Sequence, residues 1–514
     1  MKHRLNVRLF VATAIAALSG AAVSGAALAE GDTAPVAPPP VAHVRVDAAV
    51  SRGMFVHPER YNNFANPRAF AQQREADVAF LNQQGLHGKI YKVWIAAKSL
   101  HDAGTGAYDY APVDAYLAQA SRVSDALLMV MDTRIEIRDE KQTPAQIKPV
   151  IKRIMLDLKR KYPAIRYVEA FNEPDYNLAK VLSPEQLYDF YRVYYEAVNE
   201  VNRELKPKVP LEIGGPAFMM FNEPWLKAFL DRYKADPSPA KRLDFISWHG
   251  YGYFEQGGGA PGALKPYHFF KGNPSEVGGQ RAMLDAELRS RGLDTRIPAF
   301  ITETGIYPGP SNDNPRDPRP DYLIGAAGVM SLHYWFIEQP RTYPFNWVVR
   351  HTTEERKDQL VSRPGNGQPP LTGVFTPYGN AMAMMARLQD ERVAAVSDKL
   401  VDGKGVYAIA TRGRGGMAVM LWNYQHTGSQ TYHVQLDLAH LPPSLRGRPV
   451  QETHYRIDGS VSNYWADPAR ANLQQTATRT VTPKSSHEVA LDLSPNALEL
   501  VLIEPAGKHG ARRR

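Results

Sequence analysis

The chain has 514 residues, 44% hydrophobic and 22% charged, a globular mixture too long for one ordinary core. It has no cysteine, which excludes disulfides, thiolate metal ligands, a thiol nucleophile and a lipidated N-terminal cysteine. Its formal charge of +8 is drawn largely from the two ends (Lys2, Arg4, Arg8, then Lys508 and Arg512 to Arg514). The body is therefore only slightly basic and does not read as a nucleic-acid binder.

Residues 1–29 have the form of an export signal. A basic start is followed by an apolar, alanine-rich run from Leu9 and by the small-residue cleavage site Ala27-Leu28-Ala29. The run is short and broken by Ser and Gly, which argues against a membrane anchor. The expectation is a periplasmic or secreted protein with no stable membrane insertion after cleavage. Residues 30–42 (Ala34-Pro-Val-Ala-Pro-Pro-Pro40 within them) read as an extended Pro/Ala linker.

Strand-like and helix-like segments then alternate over 43–390. Eight apolar runs are expected to be barrel strands: Gly53–His57, Ile90–Ile95, Ala126–Met131, Tyr167–Phe171, Leu211–Gly214, Phe245–His249, Pro298–Thr302 and Tyr343–Val349. Between them, Ile147, Val150, Ile151, Ile154, Met155 and Leu158 form a helical stripe, and Ser183-Pro-Glu-Gln186 is a capping box opening another helix. A further helix is expected at 321–338. This repetition implies a (β/α)8 barrel, an α/β fold. Over 391–507 the pattern becomes short runs separated by Gly, Pro and Asn turns. Val406–Ala410, Met417–Trp422, Thr431–Leu436, His487–Leu491 and Ala497–Ile503 suggest a β-sandwich of roughly seven strands. Val44–Asp47 is a candidate extra strand of that domain, and 508–514 is a basic tail.

Two glutamates carry the chemistry. Glu173 lies in Phe171-Asn-Glu-Pro174 and Glu303 in Pro298-Ala-Phe-Ile-Thr-Glu-Thr-Gly305. Each closes a strand-like run just before a chain breaker, where a barrel presents its functional side chains. Two carboxylates about 5 Å apart can cleave a glycosidic bond, one as acid/base and one as nucleophile. Phe-Asn-Glu-Pro recurs at 221–224, but there it runs into an amphipathic helix. Asn222 reads as its N-cap and Glu223 as a charge on the helix dipole.

With these blocks in place the chain resembles the clan A glycoside hydrolases. Leu211-Glu-Ile-Gly-Gly-Pro-Ala217, Asp244-Phe-Ile-Ser-Trp-His249 and Leu371–Leu388 narrow the resemblance to family 39. The resemblance implies Glu173 as general acid/base and Glu303 as nucleophile. It implies Asn172 as the partner of the sugar 2-hydroxyl, His249 and Tyr251 beside Glu303, and Trp347 as a sugar platform. His57 is a further candidate at the end of the first strand. No metal or organic cofactor is implied, and the partner is an oligo- or polysaccharide. Two alternatives stay open: a polysaccharide-binding protein without catalysis, and a related clan A enzyme of the β-glucuronidase or arabinofuranosidase type. The loops 251–266 and 307–320 are long and particular to this chain, and such loops choose the substrate on this fold.

Overall fold

The computed structural model describes residues 37–65, 74–251, 273–305, 319–350, 359–361, 373–425, 429–464 and 466–506. The export signal, most of the linker, nearly all of both long loops, the start of the 371–388 block and the basic tail lie outside the described residues.

The first strand, β1 (Val41–Met54), does not enter the barrel. Its buried residues Ala42, Val44, Val46 and Ala48 alternate with more exposed neighbours. That period of two marks a strand buried on one face. β1 pairs antiparallel with β10 (Glu391–Ser397) and parallel with β14 (Tyr432–Ala439). Val44–Asp47 thus joins the second domain as expected, whereas Gly53–His57 is not the first barrel strand.

The barrel is closed by eight parallel strands: β2 (Tyr61–Ala65), β3 (Gly88–Ala96), β4 (Ser124–Asp132), β5 (Ile165–Ala170), β6 (Glu212–Phe218), β7 (Phe245–Tyr251), β8 (Ala299–Gly305) and β9 (Thr342–Asn346). β2 was concealed in the sequence because Asn62 and Asn63 look like turn residues. Both are fully buried. Their amides donate to Glu59 O at 2.8 Å and to Thr302 O at 2.9 Å.

Alternation along the strands decides what fills the barrel. Ile90, Leu128, Phe245, Phe300, Phe345 and Tyr61 form one apolar cluster inside it. Neighbours such as Val93, Met129, Val168 and Ile301 face the surrounding helices. The helix Pro184–Leu205 shows how those helices are fixed. Ser183 caps it, with Ser183 Oγ accepting from Gln186 N at 3.3 Å and Gln186 Oε1 accepting from Ser183 N at 2.8 Å. Leu187, Phe190, Tyr194, Ala197 and Val201 form its buried face.

The second domain is one continuous sheet. Its order is β16 (Gln474–Val481), β15 (Val450–Ile457), β18 (Leu498–Pro505), β13 (Gly416–Tyr424), β12 (Lys404–Gly413), β10, β1, β14 and β17 (His487–Leu493), with the short β11 (Leu400–Val401) beside β12. The sheet curls so that β17 meets β15 through His487 and Glu452. The barrel docks on it through the helix Arg319–Ile337. Trp422 Nε1 donates to Ser331 Oγ at 2.9 Å, and Trp335 Nε1 donates to the Tyr407 hydroxyl at 3.1 Å.

The curled sheet carries an ionic cluster built on two buried carboxylates, Glu452 and Glu499. His454 lies between Glu452 Oε1 (2.8 Å) and Glu499 Oε1 (2.9 Å), with Arg479, Arg456 and His487 on the same carboxylates. Burial pushes the His454 imidazole down, but the two carboxylates outweigh it and raise it to about 9. A histidine raised in the fold contributes stability that is full below about 6.5 and lost as pH rises through about 9. The melting temperature of the wild type should therefore fall by a few degrees between pH 7 and 9.5. Thermal melts of wild type and His454→Gln across that range check this, and the variant's curve should be flatter.

Candidate active site

The site lies at the C-terminal ends of the barrel strands. Glu303 is on β8, where a register shift brings it opposite His249 of β7. Gly250 lies between His249 and Tyr251. A Cβ there would come within 2.5 Å of Phe336 and 2.7 Å of Ile301, so only glycine lets the outer helix close on this strand. Glu173 follows β5 with φ of 49°, and Phe171 and Ala217 also have positive φ. Such backbone is costly for residues with a side chain and persists where its surroundings hold it. Glu173 N donates to Ala217 O at 2.8 Å, and Phe171 packs on Tyr194 at 5.1 Å.

Six of the expected residues converge. Tyr251 donates its hydroxyl to Glu303 Oε2 at 2.7 Å. His249 is buried between the glutamates, with Nδ1 3.0 Å from Glu173 Oε1 and Nε2 3.5 Å from Glu303 Oε1. Asn172 is buried beside Glu173, and its Oδ1 has no hydrogen-bond partner among the described residues. Trp347 lies one residue beyond β9 rather than inside it. It is half-buried, its N donates to Thr304 O at 2.9 Å, and its ring meets Trp94 edge-on at 6.5 Å. The Glu303 side chain is 6% exposed and that of Glu173 is 22% exposed. Glu173 is thus the more open of the two.

His57 is a correction. It precedes β2 by four residues and so sits at the N-terminal end of the barrel, away from the glutamates. Its ring pairs with Glu59 at 2.9 Å and approaches Asp390 at 3.9 Å. Its expected role depended on Gly53–His57 being a barrel strand. The second Asn-Glu-Pro behaves as expected. Asn222 caps the helix Glu223–Ala235, and Glu223 pairs with Lys227 at 2.5 Å.

The sequence reading missed Lys92 and Glu169. Both side chains are 0% exposed, and Lys92 Nζ lies 3.1 Å from Glu169 Oε2 and 3.1 Å from Glu303 Oε1. Period-two spacing was the available signal, because Ile90, Lys92 and Trp94 share the inward face of β3 as Tyr167 and Glu169 share that of β5. Burial pushes the Lys92 ammonium down, but Glu169 and Glu303 outweigh it and hold it above its ordinary value. Lys92 therefore stays charged. Glu173, His249 and Glu303 offer ligand atoms within 4.8 Å of one another, close enough for a metal ion. The Lys92 ammonium already supplies a positive charge at Glu303, so the geometry does not call for one.

The fold is similar to that of solved glycoside hydrolases, family 39 enzymes among them. The structure is similar to a glucosidase from Croceicoccus marinus, with TM-score 0.62 and 16% identity over 91% of this chain and 100% of that one. It is similar to a family 39 enzyme from Xanthomonas axonopodis pv. citri, with TM-score 0.62 and 14% identity over 90% and 97%. It is also similar to a bacterial orthologue of human α-L-iduronidase, with TM-score 0.65 and 15% identity over 91% and 84%. At these identities the likeness defines the fold. No family model and no curated protein matches the sequence.

Burial pushes the Glu173 carboxyl up, but the His249 hydrogen bond and the His249, Lys92 and Arg134 charges outweigh it and hold it below its usual value. Removing the imidazole donor removes a preference for the charged form, so Glu173 in His249→Phe should titrate higher than in the wild type. Carbon-13 NMR titration of δ-labelled glutamate, with Glu173 assigned through Glu173→Gln, measures this.

Proposed function

We propose that the protein is a retaining glycoside hydrolase acting on an oligo- or polysaccharide, with Glu303 as nucleophile and Glu173 as general acid/base. The carrying observation is that carboxylate oxygens of the two residues lie within 4.8 Å of each other. An inverting pair stands about 6.5–9.5 Å apart to leave room for water, whereas a retaining pair is closer.

In the first half-reaction a Glu303 oxygen bonds to the anomeric carbon. The carbon–oxygen bond to the leaving group breaks, and its electron pair takes the proton held by Glu173. In the second, Glu173 removes a proton from water as the water oxygen displaces Glu303 from the same carbon. The sugar leaves with its original anomeric configuration. Tyr251 orients Glu303 through its hydrogen bond, and the free Oδ1 of buried Asn172 suits a sugar hydroxyl. Trp347 and Trp94 offer aromatic faces to the apolar side of a sugar ring. The long loops beside these strand ends would choose the sugar, and residues 1–29 would export the enzyme.

Glu173→Gln and Glu303→Gln should each lower turnover at least about 10³-fold on a panel of aryl glycosides and polysaccharides. Proton NMR of the first product should show retained anomeric configuration, and inversion would refute the mechanism. Glu173 must carry a proton to act as acid, and the fold holds its carboxyl low. The basic limb of kcat/KM should accordingly fall on the acid side of neutrality.

A further inference from the structure

An acid/base and a nucleophile leave Lys92 and Glu169 unexplained. Glu169 touches no solvent, and neither of its oxygens receives a well-aligned hydrogen bond among the described residues. Its coupling to the site therefore runs through charge. Lys92 Nζ is 3.1 Å from each of Glu169 and Glu303, so the nearest oxygens of the two carboxylates are at most ~6 Å apart. Over such a distance one charge moves another's ionisation.

We propose that Glu169 is a counter-carboxylate that tunes the reactivity of Glu303 through Lys92, the positioning residue they share. This rests on reading Glu303 as the nucleophile. In the resting site one ammonium is divided between two carboxylates, so Glu303 keeps electron density for attack. When Glu303 forms its bond to the anomeric carbon it becomes a neutral ester. Lys92 and Glu169 then remain as a matched ion pair, and no isolated cation is left in the barrel. When water releases the sugar, Glu303 recovers its negative charge beside the same ammonium. Without Glu169 the resting Lys92 would bind Glu303 alone and weaken it as a nucleophile. The covalent stage would then hold an unpaired buried charge, which is costly.

The other groups facing this cluster are Tyr251 and His249 on β7, Glu173 after β5 and Arg134 after β4. The first two contact Glu303 directly, and His249 Nε2 also lies 3.5 Å from Lys92 Nζ, which stands 5.3 Å over the Trp94 ring of its own strand. Glu173 feels the charges of Lys92 and Arg134 from farther away. Among the described residues, only Glu169 and Glu303 form ion pairs with Lys92.

Glu169→Gln keeps the shape and removes the charge. In a carbon-13 NMR titration of δ-labelled glutamate, with Glu303 assigned through Glu303→Gln, the Glu303 midpoint should fall relative to the wild type. With an active aryl glycoside, kcat/KM should drop and its acid limb should move to lower pH, while release of the covalent intermediate is not slowed. Lys92→Met should move the midpoint the opposite way, since two carboxylates then face each other without a cation. An unchanged midpoint in either variant, once folding is confirmed by circular dichroism, overturns the proposal. The titration needs no substrate. A wild type inert on every glycan would remove the hydrolase reading, whereas the NMR shift alone decides the coupling.

Discussion

A full positive charge stands inside a closed barrel at Lys92, and the side chains at the C-terminal end of the barrel gather around it. A charged lysine shut away from water is costly unless carboxylates meet it. Glu169 and Glu303 do so from β5 and β8. Below this layer the interior is apolar, with Ile90, Phe245, Phe300 and Phe345 filling the barrel. Above it lie His249, Tyr251 and the two candidate catalytic glutamates. The boundary falls within single strands: Ile90 and Lys92 are two residues apart on one face of β3, and Phe245 and His249 are four apart on β7. One end of these strands supplies packing and the other carries the candidate site, the usual division of labour on this fold.

Holding Glu173 over this layer requires backbone that its neighbours must support. Phe171, Glu173 and Ala217 all have positive φ. Tyr194, from the helix behind, packs on Phe171 and donates to Met131 O at 3.0 Å, tying the ends of β4 and β5 together. Asp175 accepts from Met219 N at 2.8 Å and from Asn222 Nδ2 at 2.9 Å. The second Asn-Glu-Pro therefore serves the first. Asn222 caps its own helix with one side-chain atom and braces the Glu173 loop with another.

The sequence made the architecture legible wherever period or punctuation was clean. The capping box at Ser183, the strand ends before Pro174 and at Gly305, and the change of pattern near 391 all correspond to real boundaries. Within the site, Glu173, Glu303, His249 and Tyr251 were readable because a motif and a strand end coincide. Lys92 and Glu169 were not, because a lone charge in an apolar strand reads as a solvent-facing residue. Only closure of the barrel turns that face inward. β2 was concealed for a related reason. Asn62 and Asn63 look like a turn until Thr302 and Glu59 offer carbonyls to bond. His57 was misplaced as a consequence of the same one-strand error.

That error also shows how the two domains depend on each other. β1 comes before the whole barrel in sequence, yet it lies between β10 and β14 in the interior of the second sheet. Without it the sheet would be split, and Ala42, Val44 and Val46 would be lost from its core. The whole barrel is therefore an excursion of the chain between two neighbouring strands of the second sheet, β1 and β10. The docking helix Arg319–Ile337 reinforces the link, since it follows β8, which carries Glu303, and supplies Ser331 and Trp335 to the sheet. The second domain accordingly packs on the helix that follows the strand of Glu303, and Phe336 of that helix lies against Gly250, next to His249.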